Sequence, residues 1–374
     1  MSARLRVGVD ARVLAETAPM GVSRYMTALL RAAAELEPQH EYLLYVCGNS
    51  LPEAPFTTEP FRQRVLTGHA VLTNPLLWQQ LAFPWHAWRD RVDVVFSPYY
   101  SGPLFAPAPQ VVCICDISFS LFPQDFPSWL RFKPKLLARP VSRRAARVIT
   151  ISEFSRQEIV REYQLAPEKV VVIPAGNEDS LWRRSRCVAQ RAQGSIDTPF
   201  FLFVGTLHSR RQVESVIQAL GRLPVLYQLA LVGETDPAKR AAIMSTAQQW
   251  HVADRVHCLG YVTDEELDSL YDRATALVSP STYEGFGLPV LEALNRRLPV
   301  IAWDIPVMRE VAGDAAVLIP RDDVAEFAMA MLQVAADPVL RHALGETGKT
   351  RAAQFSWRRS AATLLTVLRD AANR

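Results

Sequence analysis

No apolar run in this 374-residue chain approaches the roughly 20 residues that a membrane-spanning helix needs. The opening stretch, Met1-Ser-Ala-Arg-Leu-Arg-Val-Gly-Val-Asp10, is broken by Arg4 and Arg6, so a secretory signal is not expected there. Cysteine is sparse. The five residues Cys47, Cys113, Cys115, Cys187 and Cys258 are odd in number and scattered, which argues against a disulfide framework. Cys113-x-Cys115 lacks zinc-ligand spacing and has no histidine cluster beside it, so reduced thiols in a cytoplasmic protein are expected. The net charge of +3 is too small to make a nucleic-acid partner the first expectation. No Asp-x-Asp pair sits on a strand-end loop, so nothing marks a bridging metal. Short repeats and low-complexity tracts are also missing.

What remains is an ordinary globular composition, 49% hydrophobic and 21% charged, in a chain long enough for two domains with separate cores. Short apolar runs alternate with amphipathic stretches from end to end. Leu5–Val9, Tyr42–Val46, Val92–Phe96, Val111–Cys115, Val148–Ile151 and Val170–Ile173 read as buried strands. The second half repeats the theme at Phe200–Val204, Tyr227–Val232, Val256–Leu259, Ala276–Ser279, Val300–Ala302 and Ala316–Ile319. Helical patterns such as Val22–Leu36 and Phe154–Tyr163 lie between them. This alternation predicts an α/β protein of doubly wound, parallel sheets. A polar, basic, patternless segment breaks the series. The expected layout is therefore a domain over 1–178, a linker over 179–198, a second domain over 199–355 and a final amphipathic helix over 356–374. Ligands of such sheets bind at the carboxyl ends of the strands.

The most informative segment is Ser279-Pro-Ser-Thr-Tyr-Glu-Gly-Phe-Gly-Leu-Pro-Val-Leu-Glu292, between a strand and a helix. Gly285 and Gly287 let the backbone turn tightly and come close to a ligand. Pro289 suits a helix start, so the amides of Gly285, Phe286, Gly287 and Leu288 point to an anion site at a helix N-terminus. Two carboxylates, Glu284 and Glu292, flank it. Carboxylates repel a phosphate unless they face a neutral part of the same ligand. A sugar nucleotide has such parts on both sides of its diphosphate. An exposed loop with two surface glutamates is the plain alternative.

This segment resembles the glutamate-x7-glutamate signature of the retaining glycosyltransferases of family 4. The resemblance implies a GT-B fold, two Rossmann-like domains with an interdomain cleft. It implies that Glu284 contacts the donor hexose, that Ser281 and Gly285–Leu288 line the sugar and diphosphate, and that Glu292 holds the ribose. Phe201-Leu-Phe-Val-Gly-Thr-Leu-His-Ser-Arg-Arg211 is similar to the family's strand-loop that neutralises the departing diphosphate. By that likeness Gly205, Thr206, Arg210 and Arg211 belong to the donor site, with Arg211 where the family usually has lysine. Arginine keeps the charge but offers a planar fork in place of a point charge. Gly233 resembles the family's strand-end glycine. Tyr261, Val262 and Leu267 fall where the base is held. Arg297 stands where a helix-ending glycine is usual; it either alters the cap or brings a cation to the ligand.

In the first half, Gly21-Val-Ser-Arg-Tyr25 resembles the family's glycine loop, with Gly21 at the donor phosphates and Tyr25 on the acceptor side. Ser97-Pro-Tyr-Tyr100 places Tyr99 there too, or else as packing. The family commonly has His-Asp where this chain has Cys115-Asp116. Cysteine lacks the charge and donor geometry of histidine. Asp116 remains as a catalytic or orienting carboxylate, against the alternative of a structural cap.

Pro127–Arg147 carries seven cations and Trp129, Leu130, Phe132, Leu136 and Leu137, with no acid. Leu76–Trp88 adds further aromatics. Peripheral contact with an anionic membrane surface on the inner face of the cell membrane is one reading, a solvated basic helix the other. The resemblance thus implies an enzyme with no cofactor and no metal. It would move a hexosyl group, mannosyl favoured, from a nucleoside-diphosphate sugar such as GDP-mannose. The acceptor would be a hydroxyl of a glycan or a polyprenyl-diphosphate-linked saccharide, in bacterial polysaccharide or O-antigen synthesis. A non-catalytic sugar-nucleotide-binding subunit and a sugar phosphorylase of the same fold are the alternatives.

Overall fold

A computed structural model describes residues 4–15, 21–47, 51, 56–66, 74–98, 100–126, 137–177, 196, 198–233 and 236–374. The chain divides into two compact units. Unit 1 is Met1–Trp182 with Ser356–Arg374, and unit 2 is Arg183–Phe355. The expected linker falls almost wholly outside the described residues, as does Cys187.

Unit 1 holds a seven-stranded sheet, order β3-β2-β1-β4-β5-β6-β7. Its strands are β1 (Arg6–Asp10), β2 (Glu41–Cys47), β3 (Phe61–Leu66), β4 (Val94–Ser97), β5 (Gln110–Cys113), β6 (Arg147–Thr150) and β7 (Val170–Val172). Every neighbouring pair is parallel. The central strands are buried on both faces, as β4 and β5 show at every residue, which is why they read as continuous apolar runs. Helices α1 (Gly21–Leu36), α2 (Phe83–Arg89) and α3 (Glu153–Tyr163) lie between strands in sequence.

Unit 2 holds a six-stranded, all-parallel sheet, order β10-β9-β8-β11-β12-β13. The strands are β8 (Phe200–Val204), β9 (Gln228–Val232), β10 (Val256–Gly260), β11 (Ala276–Ser279), β12 (Val300–Trp303) and β13 (Ala316–Ile319). The helices are α4 (Val213–Leu220), α5 (Pro237–Gln249), α6 (Asp264–Arg273), α7 (Leu288–Asn295), α8 (Pro306–Val311), α9 (Val324–Ala336) and α10 (Pro338–Ala352). In both sheets the strand order reverses beside the first strand of the unit. The switch lies between β1 and β4 in unit 1 and between β8 and β11 in unit 2. Crossovers leave that point to opposite sides, so the carboxyl ends of the two strands open a crevice there.

The chain ends in α11 (Trp357–Ala372), which belongs to unit 1 and packs on α1. Trp357 is fully buried, its ring 5.7 Å from that of Tyr25. The Ser360 hydroxyl donates to the Pro174 carbonyl at 2.6 Å, and Arg369 pairs with Glu37 on α1. The last helix is therefore part of the unit 1 core rather than an appendage. Trp357→Ala should lower the unfolding free energy of unit 1 by about 3–5 kcal/mol. Urea unfolding followed by far-UV circular dichroism measures it, and a loss under 1 kcal/mol would contradict this packing.

Candidate functional site

The sequence-expected donor residues converge in unit 2 on loops that follow the carboxyl ends of four adjacent strands. Gly205 and Thr206 follow β8, Gly233 follows β9, Tyr261 and Val262 follow β10, and the 280–287 loop follows β11. All sit around the β8/β11 switch point.

The centre is a buried ion pair. Arg211 Nη1 meets Glu284 Oε1, with the two side chains 15% and 8% exposed. The Ser281 hydroxyl donates to the same carboxylate oxygen at 2.9 Å. A second tie runs through main chain, where the Arg210 carbonyl accepts the Thr282 amide at 2.9 Å and the Thr282 hydroxyl at 3.1 Å. The loop after β8 and the loop after β11 are thus bonded twice. Gln212, which ends the 209–211 turn, adopts a left-handed backbone (φ 43°), and its side-chain oxygen accepts from Trp303 Nε1 at 3.0 Å. That contact anchors the arginine turn to the end of β12.

Two glycines make the close approach possible. Gly233 (φ 139°) faces the Gly205 main chain; a Cβ on it would lie 2.2 Å from the Gly205 oxygen. Gly205 (φ 150°) in turn faces the Arg211 guanidinium, with 3.2 Å between a built Cβ and Nη1. Gly287 (φ 93°) caps the N-terminus of α7, and Pro289 occupies its first turn. The sequence fits this start: glycine takes the left-handed cap and proline lacks the amide that a first turn cannot pair. The first-turn amides of a helix have no intrahelical acceptor, and its dipole favours an anion.

Glu292 lies one turn further along α7, 5% exposed, and accepts the Tyr271 hydroxyl at 2.5 Å. Tyr271, on α6, was not found from sequence. Its ring is buried beneath the Arg296 guanidinium, 5.5 Å from the ring centre, and Arg296 is held by Asp268. Nothing in the spacing of α6 marks it; only the fold brings α6 against α7. Nearby, Leu267 is buried, Val262 half-buried and Tyr261 exposed. A Thr263–Glu266 capping box fixes where α6 begins after them.

Arg297 takes the left-handed conformation (φ 59°) that glycine would favour at this helix end. Its side chain pairs with Glu346 at 2.6 Å on the surface, both about half exposed. The residue therefore alters the cap, and its guanidinium is committed to α10.

Unit 1 departs further from expectation. Gly21 opens α1 as anticipated and is exposed. Tyr25 is completely buried, and its hydroxyl donates to the Ile173 carbonyl at 2.6 Å. Its ring lies against Trp357 in the core that α11 closes. Tyr99 lies outside the described residues, as do 127–136 of the basic stretch. Cys115 is buried with its sulfur 3.7 Å from that of Cys113, and burial pushes the Cys113 thiol well up. Asp116 Oδ1 accepts the Ser118 amide at 2.8 Å, starting a one-turn helix over Ser118–Leu121. This contact uses one of its two carboxylate oxygens.

Comparison with known proteins agrees with this geometry. Residues 19–179 match the model described as Glycosyltransferase Family 4, and residues 189–351 the model described as Glycosyl transferases group 1. An O-antigen chain mannosyltransferase B of Escherichia coli is 29% identical over 363 residues, covering 90% of this chain and 92% of that one. The O-antigen chain mannosyltransferase RfbU of Salmonella typhimurium is 28% identical, covering 67% and 68%. A sucrose-phosphate synthase of Thermosynechococcus elongatus superposes with a TM-score of 0.76 at 22% identity over 98% of both chains. Anabaena HepE, solved with UDP and glucose, superposes at 0.73 with 16% identity over 97% of this chain and 100% of that one. The structural likenesses concern the fold.

Gly233→Ala forces a Cβ into the Gly205 carbonyl at a backbone angle that L-residues avoid. It should destabilise unit 2 by more than about 1 kcal/mol and displace the Arg211 turn. Thermal denaturation together with donor binding checks this, and a variant with unchanged melting and binding would refute the contact.

Proposed function

Since the chain belongs to the glycosyltransferases, with family 4 and group 1 segments that together span most of it, we propose that it transfers a mannosyl group with retention from a nucleoside-diphosphate sugar, GDP-mannose favoured, to a hydroxyl of a glycan or lipid-linked acceptor. Bacterial O-antigen or related polysaccharide synthesis is the setting, a reading supported by the names of the two similar mannosyltransferases. One observation carries the site assignment. Two buried carboxylates flank an amide-rich helix start, and a half-buried guanidinium is already paired with the first of them.

A nucleoside-diphosphate sugar suits that order of charges. The diphosphate meets Arg210, Arg211 and the first-turn amides of α7. Glu292, oriented by the Tyr271 hydroxyl, accepts from the ribose hydroxyls. Glu284, oriented by Ser281, accepts from the hexose. In the transfer step the bond from the sugar C1 to the phosphate oxygen breaks, and its electron pair stays on the diphosphate. The acceptor oxygen bonds to C1 from the same face and passes its proton to the departing phosphate oxygen. The cations and amides stabilise the charge that develops there, so a metal is not required for it. Asp116 and the exposed Gly21 remain proposals of unit 1. A lipid-linked acceptor would bring the enzyme to a membrane surface.

A thermal-shift panel tests the donor. GDP-mannose at about 100 times its Kd should stabilise the protein by about 2.7 kcal/mol, more than UDP-glucose, ADP-glucose or inorganic phosphate. If no activated sugar shifts the melting curve, the assignment fails; a shift by phosphate alone would favour a phosphorylase. Arg211→Ala should lower kcat by roughly 10²–10³-fold, the usual scale for a lost charge-stabilising group. Glu292→Gln should raise the donor KM by about tenfold, about 1.4 kcal/mol, with less effect on kcat. EDTA should leave the rate unchanged.

A further inference from the structure

Residues 75–89 of unit 1 are helical throughout, but not uniformly so. A first turn, Pro75–Leu77, runs into a π-helical segment, Trp78–Ala82, and then into α2. The Phe83 amide donates to the Trp78 carbonyl, a five-residue step that widens the winding by one residue. The step sends Trp78, Phe83 and Ala87 into the core with Leu43, Tyr45 and Val95. It also leaves an apolar stripe exposed. Leu77, Leu81, Trp85 and Trp88 are 37%, 57%, 59% and 60% exposed, and the two indoles lie against each other with ring centres 5.3 Å apart. Side chains of this size are exposed one at a time on ordinary surfaces, not four along one helix.

The stripe itself carries no acid, and the two acids that follow it, Asp90 and the exposed Asp93, are both engaged by the sheet, Asp93 by the Arg6 amide. Residues 74–89 contain no acid, and Arg89 and Arg91 are exposed at the helix end. Asp90, the acid next to them, is turned to Tyr45 and Arg64 of the sheet. Gln80 holds the 102–104 loop by two hydrogen bonds, to the Gly102 carbonyl and from the Leu104 amide. The next residue, Phe105, is 75% exposed beneath the Arg144 guanidinium, 4.7 Å from its ring centre.

We propose that this stripe is a membrane-insertion face, with Leu81, Trp85, Trp88 and Phe105 entering the headgroup–acyl boundary of an anionic lipid surface and Arg89, Arg91 and Arg144 meeting its phosphates. The inference deepens the lipid-linked acceptor reading and rests on it for its purpose, but the binding itself stands on unit 1 alone. Indole rings settle at the boundary between apolar and wet regions, and a helix with an apolar face and basic flank lies in that plane. A second copy of the chain is the poorer occupant, because a two-fold contact would set the basic border against itself.

The full chain is co-sedimented with phosphatidylcholine vesicles containing or lacking 30% phosphatidylglycerol, a share of about one third chosen so that surface potential is substantial. Binding should require the anionic lipid, and Trp85→Ser with Trp88→Ser should weaken partitioning at least tenfold. The same pair should leave transfer to a water-soluble acceptor, and thermal melting, unchanged. Insertion should also blue-shift tryptophan fluorescence in the parent and not in the double variant. Undiminished vesicle binding by the double variant, or loss of binding only when Arg131, Lys133 and Lys135 are replaced, overturns the proposal. So does a dimer in sedimentation velocity that the double variant dissolves. Failure of transfer to the soluble acceptor in the parent would instead count against the catalytic reading, leaving the vesicle result intact.

Discussion

Everything in unit 2 that bears on chemistry is organised by the buried pair of Arg211 and Glu284. An ion pair of this kind adds little net stability, because taking each ion out of water costs several kcal/mol, about what their attraction returns. Its consequence is geometric. One partner stands on the loop after β8 and the other on the loop after β11, the two strands that flank the switch point. Removing either charge leaves the other buried, so the two loops are fixed relative to each other by electrostatics as well as by the Thr282–Arg210 bonds. The Ser281 hydroxyl then sets which oxygen of Glu284 faces the guanidinium. On the proposed reading, a diphosphate beside Arg211 would meet a cation already oriented and partly withdrawn from water, where its charge is more effective.

The same constraint accounts for the glycines. Bringing β8, β9 and the arginine turn so close leaves no room for a side chain at 233 and would press one at 205 against the Arg211 guanidinium. Glycine at these places is a requirement of the site rather than of the fold, since neither strand needs it for pairing. Glu292 has a parallel arrangement, a carboxylate held by a buried hydroxyl donor from an adjacent helix. Each acid is therefore supported at one oxygen by a neutral donor, Ser281 or Tyr271, which gives it a defined direction.

The sequence was most legible where chemistry and backbone geometry coincide. Twelve apolar runs mark twelve of the observed strands, and the loop-helix between Ser279 and Glu292 stands as read from its glycines and proline. The strand missed, β3 (Phe61–Leu66), lies at the sheet edge with one buried residue and alternates arginine and glutamine, so it has no buried run to reveal it. The neighbours of Tyr25 look like a ligand loop in the sequence, whereas the helix that begins at Gly21 turns position 25 into the core. Tyr271 and the π turn at Trp78 were invisible for a different reason. Both arise from through-space packing, and a one-residue change in helical winding leaves no mark in composition. Arg297 was open in sequence and closed in structure, because Glu346 lies 49 residues further along the chain.

The departures in unit 1 place more of the proposed chemistry on unit 2. Where the family resemblance leads one to expect an imidazole, a buried thiol stands against a second thiol, and neither offers a charge or a strong donor. The neighbouring Asp116 spends one oxygen on the Ser118 amide. An imidazolium that would share in stabilising the leaving diphosphate is therefore not available from position 115. The charge that develops on that diphosphate falls to the two adjacent guanidinium groups and the start of α7. This is also where arginine replaces the lysine expected at 211. A planar fork can hold Glu284 with one edge and present another to a phosphate, which a single ammonium does less well.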